Sequence, residues 1–247
     1  MGRGKTLIHI HTDFSFDSNI TVEALRDFAV REGFGCVAVT DHDSIEGGLR
    51  LRGITDLNVI VGEEVTTRDG HLIGLFLQER IRPGMSAVDT ARAIRAQGGV
   101  VLLPHPFVKA FGCGIGRQAW EMIDWIDAVE VNNAQNLLPG PDRLARRFAE
   151  ETGLPAFVGA DCHAADSIAP CWQVMDAFDG RQSFLRALAG AELHTGRHSL
   201  AYFAATGYRV ALNAVGLKLP RGFGENAPAT KAAPVLSPAC RTLEMSS

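Results

Sequence analysis

Ile8-His9-Ile10-His11-Thr12-Asp13-Phe14-Ser15-Phe16-Asp17, close to the N-terminus, is the stretch from which the rest of the chain is read. The residues before it, Lys5-Thr6-Leu7-Ile8, form a short apolar strand. Residues i and i+2 of a strand share a face, so His9 and His11 aim two imidazoles at one point. Two neutral imidazole nitrogens on one rigid strand suit a divalent transition metal, and Asp17, one loop further on, brings an oxygen ligand to the same pocket. A His-x-His pair on a strand is also common as a plain hydrogen-bonded pair, so the other ligands must come from the rest of the chain.

Outward from that stretch, strands and helices alternate. Thr21 caps an amphipathic helix over 22–32, with Val22, Leu25, Phe28 and Ala29 on one face. An all-apolar strand over 36–39 ends in Thr40-Asp41-His42-Asp43, and a helical turn over 45–51 follows. The strand over 58–62 leads into Glu63-Glu64, and a turn at Arg68-Asp69-Gly70 precedes a strand over 71–77. Ser86 with Asp89 opens a helix through Ala96, and a strand over 100–103 runs into Pro104-His105-Pro106. Beyond a glycine-rich loop at 112–116 come a helix over 118–125, a strand over 128–133, a helix over 141–151 and a strand over 155–159 ending in Ala160-Asp161-Cys162-His163. An edge strand over 172–178, a helix over 182–188 and an irregular closing segment over 200–217 complete one domain, residues 1–218, before a loosely ordered Pro/Ala-rich tail, 219–247. This repetition of strand, polar loop and helix predicts an α/β fold with a mostly parallel sheet, closed or nearly closed into a barrel. In such barrels chemistry collects at the C-terminal ends of the strands, where the polar residues of this chain fall.

Composition narrows the function. A length of 247 residues with 46% hydrophobic residues supports one full core. With 24 basic against 28 acidic residues there is no global field to hold nucleic acid or an anionic membrane, so a stable nucleic-acid complex is not expected and an anionic substrate must be met locally. Cys36, Cys113, Cys162, Cys171 and Cys240 are scattered without C-x-x-C spacing, which argues against a disulfide frame and a cysteine-ligated zinc. No apolar run approaches the ~20 residues of a membrane span and no signal-peptide core is seen, so a cytoplasmic location is expected. Composition leaves the oligomeric state open.

His9, His11, His42, His71, His105 and His163 all sit at or beside strand ends, as do Asp17, Asp41, Asp43, Glu64, Glu130 and Asp161. Crowded together without a cation, such groups would repel or need protons, whereas divalent ions neutralise them. His9-x-His11 with Asp17, Thr40-Asp41-His42-Asp43, Gly62-Glu63-Glu64, Pro104-His105-Pro106 and Gly159-Ala160-Asp161-Cys162-His163 resemble, in order and spacing, the motifs of the polymerase and histidinol phosphatase (PHP) family. The resemblance implies a single-domain, distorted (β/α)7 barrel related to the TIM barrel, with two or three divalent ions, Mn, Fe or Zn. By that likeness His9, His11, Glu64 and Asp161 hold the first metal. Glu64 bridges to a second held also by His71 and His105, and Asp17, His42 and His163 hold a third. One departure is a compact stretch before the last Asp-x-His, where relatives often carry a long helical insertion.

The same likeness implies a phosphoesterase that hydrolyses a phosphate ester of a small metabolite or nucleotide through a metal-bridging hydroxide. Asp17 and His42 then lie at the reacting centre. Arg197 is read as a further phosphate contact, with a solvated surface arginine as the alternative, and His198 or His194 as leaving-group acids with a structural role as theirs. Asp41, Asp43 and Glu130 are read as groups orienting imidazoles or waters, and Asn132 and Asn133 as substrate contacts. Alternation along the strand turns Cys162 away from the site. Competing readings are a 5′-to-3′ exonuclease on short oligonucleotides and a non-catalytic PHP regulatory domain. An amidohydrolase barrel also begins with His-x-His, but no lysine lies between Lys5 and Lys109 to bridge its metals.

Overall fold

The computed structural model describes residues 2–109, 112–165 and 167–204; the expected boundary at 218 and the 219–247 tail lie outside them. Strand β1 (Arg3–Ile10) pairs in parallel with β2 (Phe34–Val39), and β2 with β3 (Asn58–Thr66). Strand β4 (His71–Leu75) runs antiparallel to both β3 and β5 (Val100–Leu103). Parallel pairing then resumes from β5 through β6 (Ala128–Asn133) to β7 (Ala156–Gly159). Beyond β7 the chain returns to β1. Ala160 N–H donates to Ile8 C=O at 3.1 Å, and His11 N–H to Cys162 C=O at 3.2 Å. The ring therefore closes at its C-terminal end, as a distorted barrel of β1 to β7 with β4 reversed.

The other end is finished differently. Strands β8 (Trp172–Asp176) and β9 (Glu192–His194) extend the nine-stranded sheet past β1 as an antiparallel ribbon. The sequence reading makes 172–178 an edge strand; instead β8 pairs on both sides, with β1 and β9. From β8 the Gln173 side chain reaches into the gap between β1 and β7. Its Oε1 accepts from Val158 N–H at 2.8 Å, and its Nε2 donates to Thr6 and Val158 carbonyls.

Helices form where apolar spacing and caps coincide. Thr21 accepts from Ala24 N–H to start α1 (Val22–Arg31), and Ser86 accepts from Asp89 N–H to start α3 (Ala87–Ala96). Together with α2 (Glu46–Gly53) and α4 (Gly140–Thr152) they cover the outside of the ring through apolar layers that include Leu25, Leu51, Ile94 and Phe148. The segment expected as an α-helix over 118–125 winds as a 3-10 helix, Gly116–Trp125. Helix α5 (Arg181–Ala189) contributes Phe184, Ala187 and Leu188 to the core that fills the ring, with Ile8, Ile60, Ile73, Leu102 and Phe157. It thus plugs the N-terminal end. Among the described residues no helix is long and apolar enough to cross a membrane.

Candidate metal centre

Two bulges aim the side chains at the open end. In β1, Ile8 pairs with Ala38 and Ile10 with Val39, so His9 is an extra residue, with a left-handed φ of 61°. Ile8 faces the inside of the ring and Ile10 the outer layer. Unbroken alternation from Ile8 would turn both histidines outward; the bulge brings His9 and His11 inward together. In β6 the register shifts between Glu130 and Asn132, which lets Glu130 and Asn133 both face the site. Asp161 and His105 also adopt positive φ, 44° and 27°, and non-glycine residues are held there only when the surroundings fix them.

Every candidate ligand read from the sequence reaches the cluster, and its centre is Glu64. Glu64 Oε1 lies 2.8 Å from His71 Nδ1 and 2.8 Å from His105 Nε2. Its Oε2 lies 3.2 Å from His9 Nε2, 3.2 Å from His11 Nε2 and 3.4 Å from His42 Nδ1. Asp161 Oδ1 is 3.5 Å from His9 Nε2 and 3.3 Å from His11 Nε2. Asp17 Oδ2 is 3.2 Å from His163 Nε2 and 3.5 Å from His42 Nε2. Because β4 is reversed, its first residue, His71, stands at the same end as the last residues of the other strands. Adjacent Glu63 and Glu64 are separated by alternation: Glu64 enters the centre, while Glu63 is buried in the outer layer and accepts from Ile81 N–H at 2.7 Å.

A surrounding layer fixes tautomers and rotamers. His9 Nδ1 pairs with Glu130 Oε1 at 2.8 Å, which turns Nε2 towards Glu64 and Asp161. Gly159 makes this pair possible, since a Cβ there would run into Glu130 Oε1. Glu130 Oε2 accepts from His105 N–H and Asn133 Nδ2, and Asn133 also donates to Asp161 Oδ2 at 2.9 Å. The Ser15 hydroxyl donates to Asp41 Oδ1 and accepts from His11 Nδ1 at 3.1 Å. The sequence reading gives Ser15 and Gly159 no role of their own. A small residue four positions after a strand-end histidine is the signal that could have pointed to Ser15.

The imidazoles and carboxylates of the cluster are strongly coupled. Burial lowers His9, but the charges of Asp161, Glu130 and Glu64 override it and hold the imidazole well above its ordinary range. His11, His71 and His163 are likewise raised by carboxylates against burial. Burial raises Glu64 and Asp161, yet the surrounding imidazoles drive both well below the carboxylate range. His11 Nε2, Asp17 Oδ1, His42 Nδ1 and His105 Nδ1 are buried with no hydrogen-bond partner. Ligand atoms of His9, His11, Glu64 and Asp161 lie within 4.8 Å of one another, as do those of His11, His42 and His163, and of His42, Glu64 and His71. Imidazole and carboxylate donors in this arrangement fit divalent transition metals.

Several candidates lie elsewhere. Arg197 is committed to Asp142, at 2.6 Å, and to the Asn136 carbonyl, rather than presented to the centre. Asp142 in turn accepts from Asn133 N–H, so Arg197 acts behind the ligands. His198 faces the Ala160 carbonyl and Ser167 and stacks on Tyr202 at 3.6 Å, none of which is a candidate ligand. His194 stacks on Trp172 at 5.0 Å. Asp43 accepts from Thr66 N–H at 2.8 Å, and Asn132 donates to the Gly196 carbonyl. Cys162 is buried in the outer layer and bonds the Ile168 carbonyl.

Comparison with known proteins agrees with this geometry. The PHP domain matches residues 8–133 and the PHP-associated family residues 140–192. An uncharacterized protein of Methanocaldococcus jannaschii is 34% identical over 143 residues, 53% of this chain and 82% of that protein. A two-domain protein from Bacteroides vulgatus containing a predicted PHP-like metal-dependent phosphoesterase superposes with a TM-score of 0.64 at 18% identity, covering 78% of this chain and 65% of that one. The lesion-specific endonuclease of Pyrococcus furiosus superposes with a TM-score of 0.58 at 13% identity, over 90% of this chain and 68% of its own. At these identities the structural likeness establishes a shared fold.

Proposed function

The chain belongs to the PHP domain family, and from that premise we propose that it is a metal-dependent phosphoesterase acting on a phosphate ester of a small metabolite or nucleotide. One observation carries the reading: His9, His11, His42, His71 and His105 all converge on the single carboxylate of Glu64. Imidazoles crowded around Glu64, Asp161 and Asp17 repel one another when protonated, whereas as neutral rings they and the carboxylates form a donor set for divalent cations. His9, His11, Glu64 and Asp161 would hold one ion, His71 and His105 with Glu64 a second, and Asp17, His42 and His163 a third. Bound divalent ions supply an activated water and fixed positive charge for phosphoryl oxygens.

The chain's own groups do the rest. Glu130 keeps the His9 proton on Nδ1, Asn133 holds the Asp161 carboxylate, and Ser15 ties His11 to Asp41. Asp17, His42 and His71 are the half-buried members of the cluster, and the other candidate ligands are buried. A phosphoryl group entering from the open end meets them first.

The test is phosphate release from a panel of monoesters and a dinucleotide, using protein purified without chelator, analysed for metals and supplemented with Mn²⁺ or Zn²⁺. Turnover of a monoester is the expected result. Bound metals with no turnover on any member would overturn it in favour of a non-catalytic domain, and exclusive cleavage of the dinucleotide would favour the exonuclease.

A further inference from the structure

Phe16 precedes the candidate ligand Asp17 and lies against the candidate ligand His42, with ring centroids 5.3 Å apart and planes 28° from parallel. One face of the phenyl ring is thus fixed on the centre, yet the residue is 79% exposed. The ring lines a cleft of about 400 Å³ together with His42 and Asp43. Phe14, itself 40% exposed, and Ile45 supply apolar wall; Ser44, Glu46 and Arg80 supply hydrogen-bonding groups at the perimeter. Arg80 Nε lies 3.9 Å from Glu63 Oε1. A volume of this order is that of a small-ligand pocket.

We propose that this cleft receives a planar aromatic ring carried by the substrate, stacked on the open face of Phe16, so that the enzyme selects phosphate esters of ring-bearing alcohols such as nucleosides. The proposal rests on the phosphoesterase reading for the position of the phosphate and adds the group beside it. Stacking on an aromatic side chain tolerates any base, because every base has a π-face, whereas the edge groups Glu46 and Arg80 can discriminate among rings. Phe16 is a positioning residue here: it sets where the ester lies and takes no part in bond breaking.

Two measurements on metal-loaded protein separate this from the reading beneath it. The first is calorimetric binding of adenosine and of ribose, neither of which carries a scissile phosphate. Adenosine should bind at least about tenfold tighter than ribose, the scale of one stacked base. Phe16→Ala and Phe16→Leu should abolish that difference, while Phe16→Trp restores it and all three keep the wild-type metal content. The second is phosphate release from adenosine 5′-monophosphate and ribose 5-phosphate, in which the Phe16→Ala effect should fall on KM for the nucleotide alone. Ring-selective binding without phosphate release from either would leave the cleft assignment standing and sink the phosphoesterase. Equal binding of adenosine and ribose, or a Phe16→Leu variant as ring-selective as wild type, would overturn the cleft assignment even if phosphate is released.

Discussion

The two ends of this barrel are made from the same strands and finished in opposite ways. At the N-terminal end the polar groups left by the gap between β1 and β7 are satisfied inside the protein by Gln173, and α5 seals the apolar interior with Phe184 and Leu188. At the C-terminal end His11, Asp17, His42 and His105 each keep a buried polar atom that makes no hydrogen bond, and His9, His105 and Asp161 hold positive φ. A buried unsatisfied group costs about 1–3 kcal/mol, and such backbone conformations cost about as much. Folding would not retain that concentration of cost at one end unless something from outside the chain relieved it. The closed end therefore supports the fold, and the open end is kept for a ligand.

The largest effect that would break this contrast is Asp161→Asn, which keeps the shape and the tolerance for positive φ but removes a charge shared by His9 and His11. We expect turnover to fall by about a thousandfold or more and metal content to drop, with the circular dichroism spectrum unchanged. Near wild-type activity would remove Asp161 from the centre. Gly159→Ala should come next, because its methyl displaces Glu130 from His9; metal affinity should weaken by about 10–100-fold, read by competition with a chromogenic chelator.

At the closed end, Gln173→Ala strands Val158 N–H and the Thr6 and Val158 carbonyls. It should cost about 2–5 kcal/mol in urea unfolding while metal stoichiometry stays that of the wild type. A loss of metal in this variant would mean that the two ends are not independent.

The smallest effect concerns Glu63, whose carboxyl burial pushes up to about 7 from the usual 4.5 despite the Ile81 N–H bond. A raised carboxyl contributes stability that is complete below about 4.5 and lost as pH rises through about 7, because the folded protein binds the extra proton. Glu63→Gln keeps an acceptor for Ile81 and cannot ionise. It should exceed wild type by on the order of 2–3 kcal/mol at pH 8 and converge with it near pH 4.5, by urea unfolding at both values. A constant difference across that range would show that Glu63 is not the group titrating.

Much of the open end was legible from the chain because metal sites need particular atoms. Imidazoles and carboxylates at His9, His11, His42, Glu64, His105, Asp161 and His163 fall just where apolar strands stop, and that coincidence requires no knowledge of pairing. Residues 195–199 were less legible. Arg197 and His198 follow β9 as plausibly as any ligand follows its strand, but β9 lies in the ribbon outside the ring, and their partners are Asp142, Asn136 and Ser167. Edge or interior position in a sheet depends on which distant strand arrives alongside, which explains why β8 was also misplaced.

The alternation of strands and helices, the apolar faces that build the layers, and the donor atoms available at the strand ends follow from residue type and local period alone. Where those donors point is settled by long-range pairing. The inward turn of His9 comes from a bulge against β2, the place of His71 from the reversal of β4, and the centrality of Glu64 from ring closure. Each is a property of register between segments far apart in the chain, and one residue of register reverses the face on which a side chain stands.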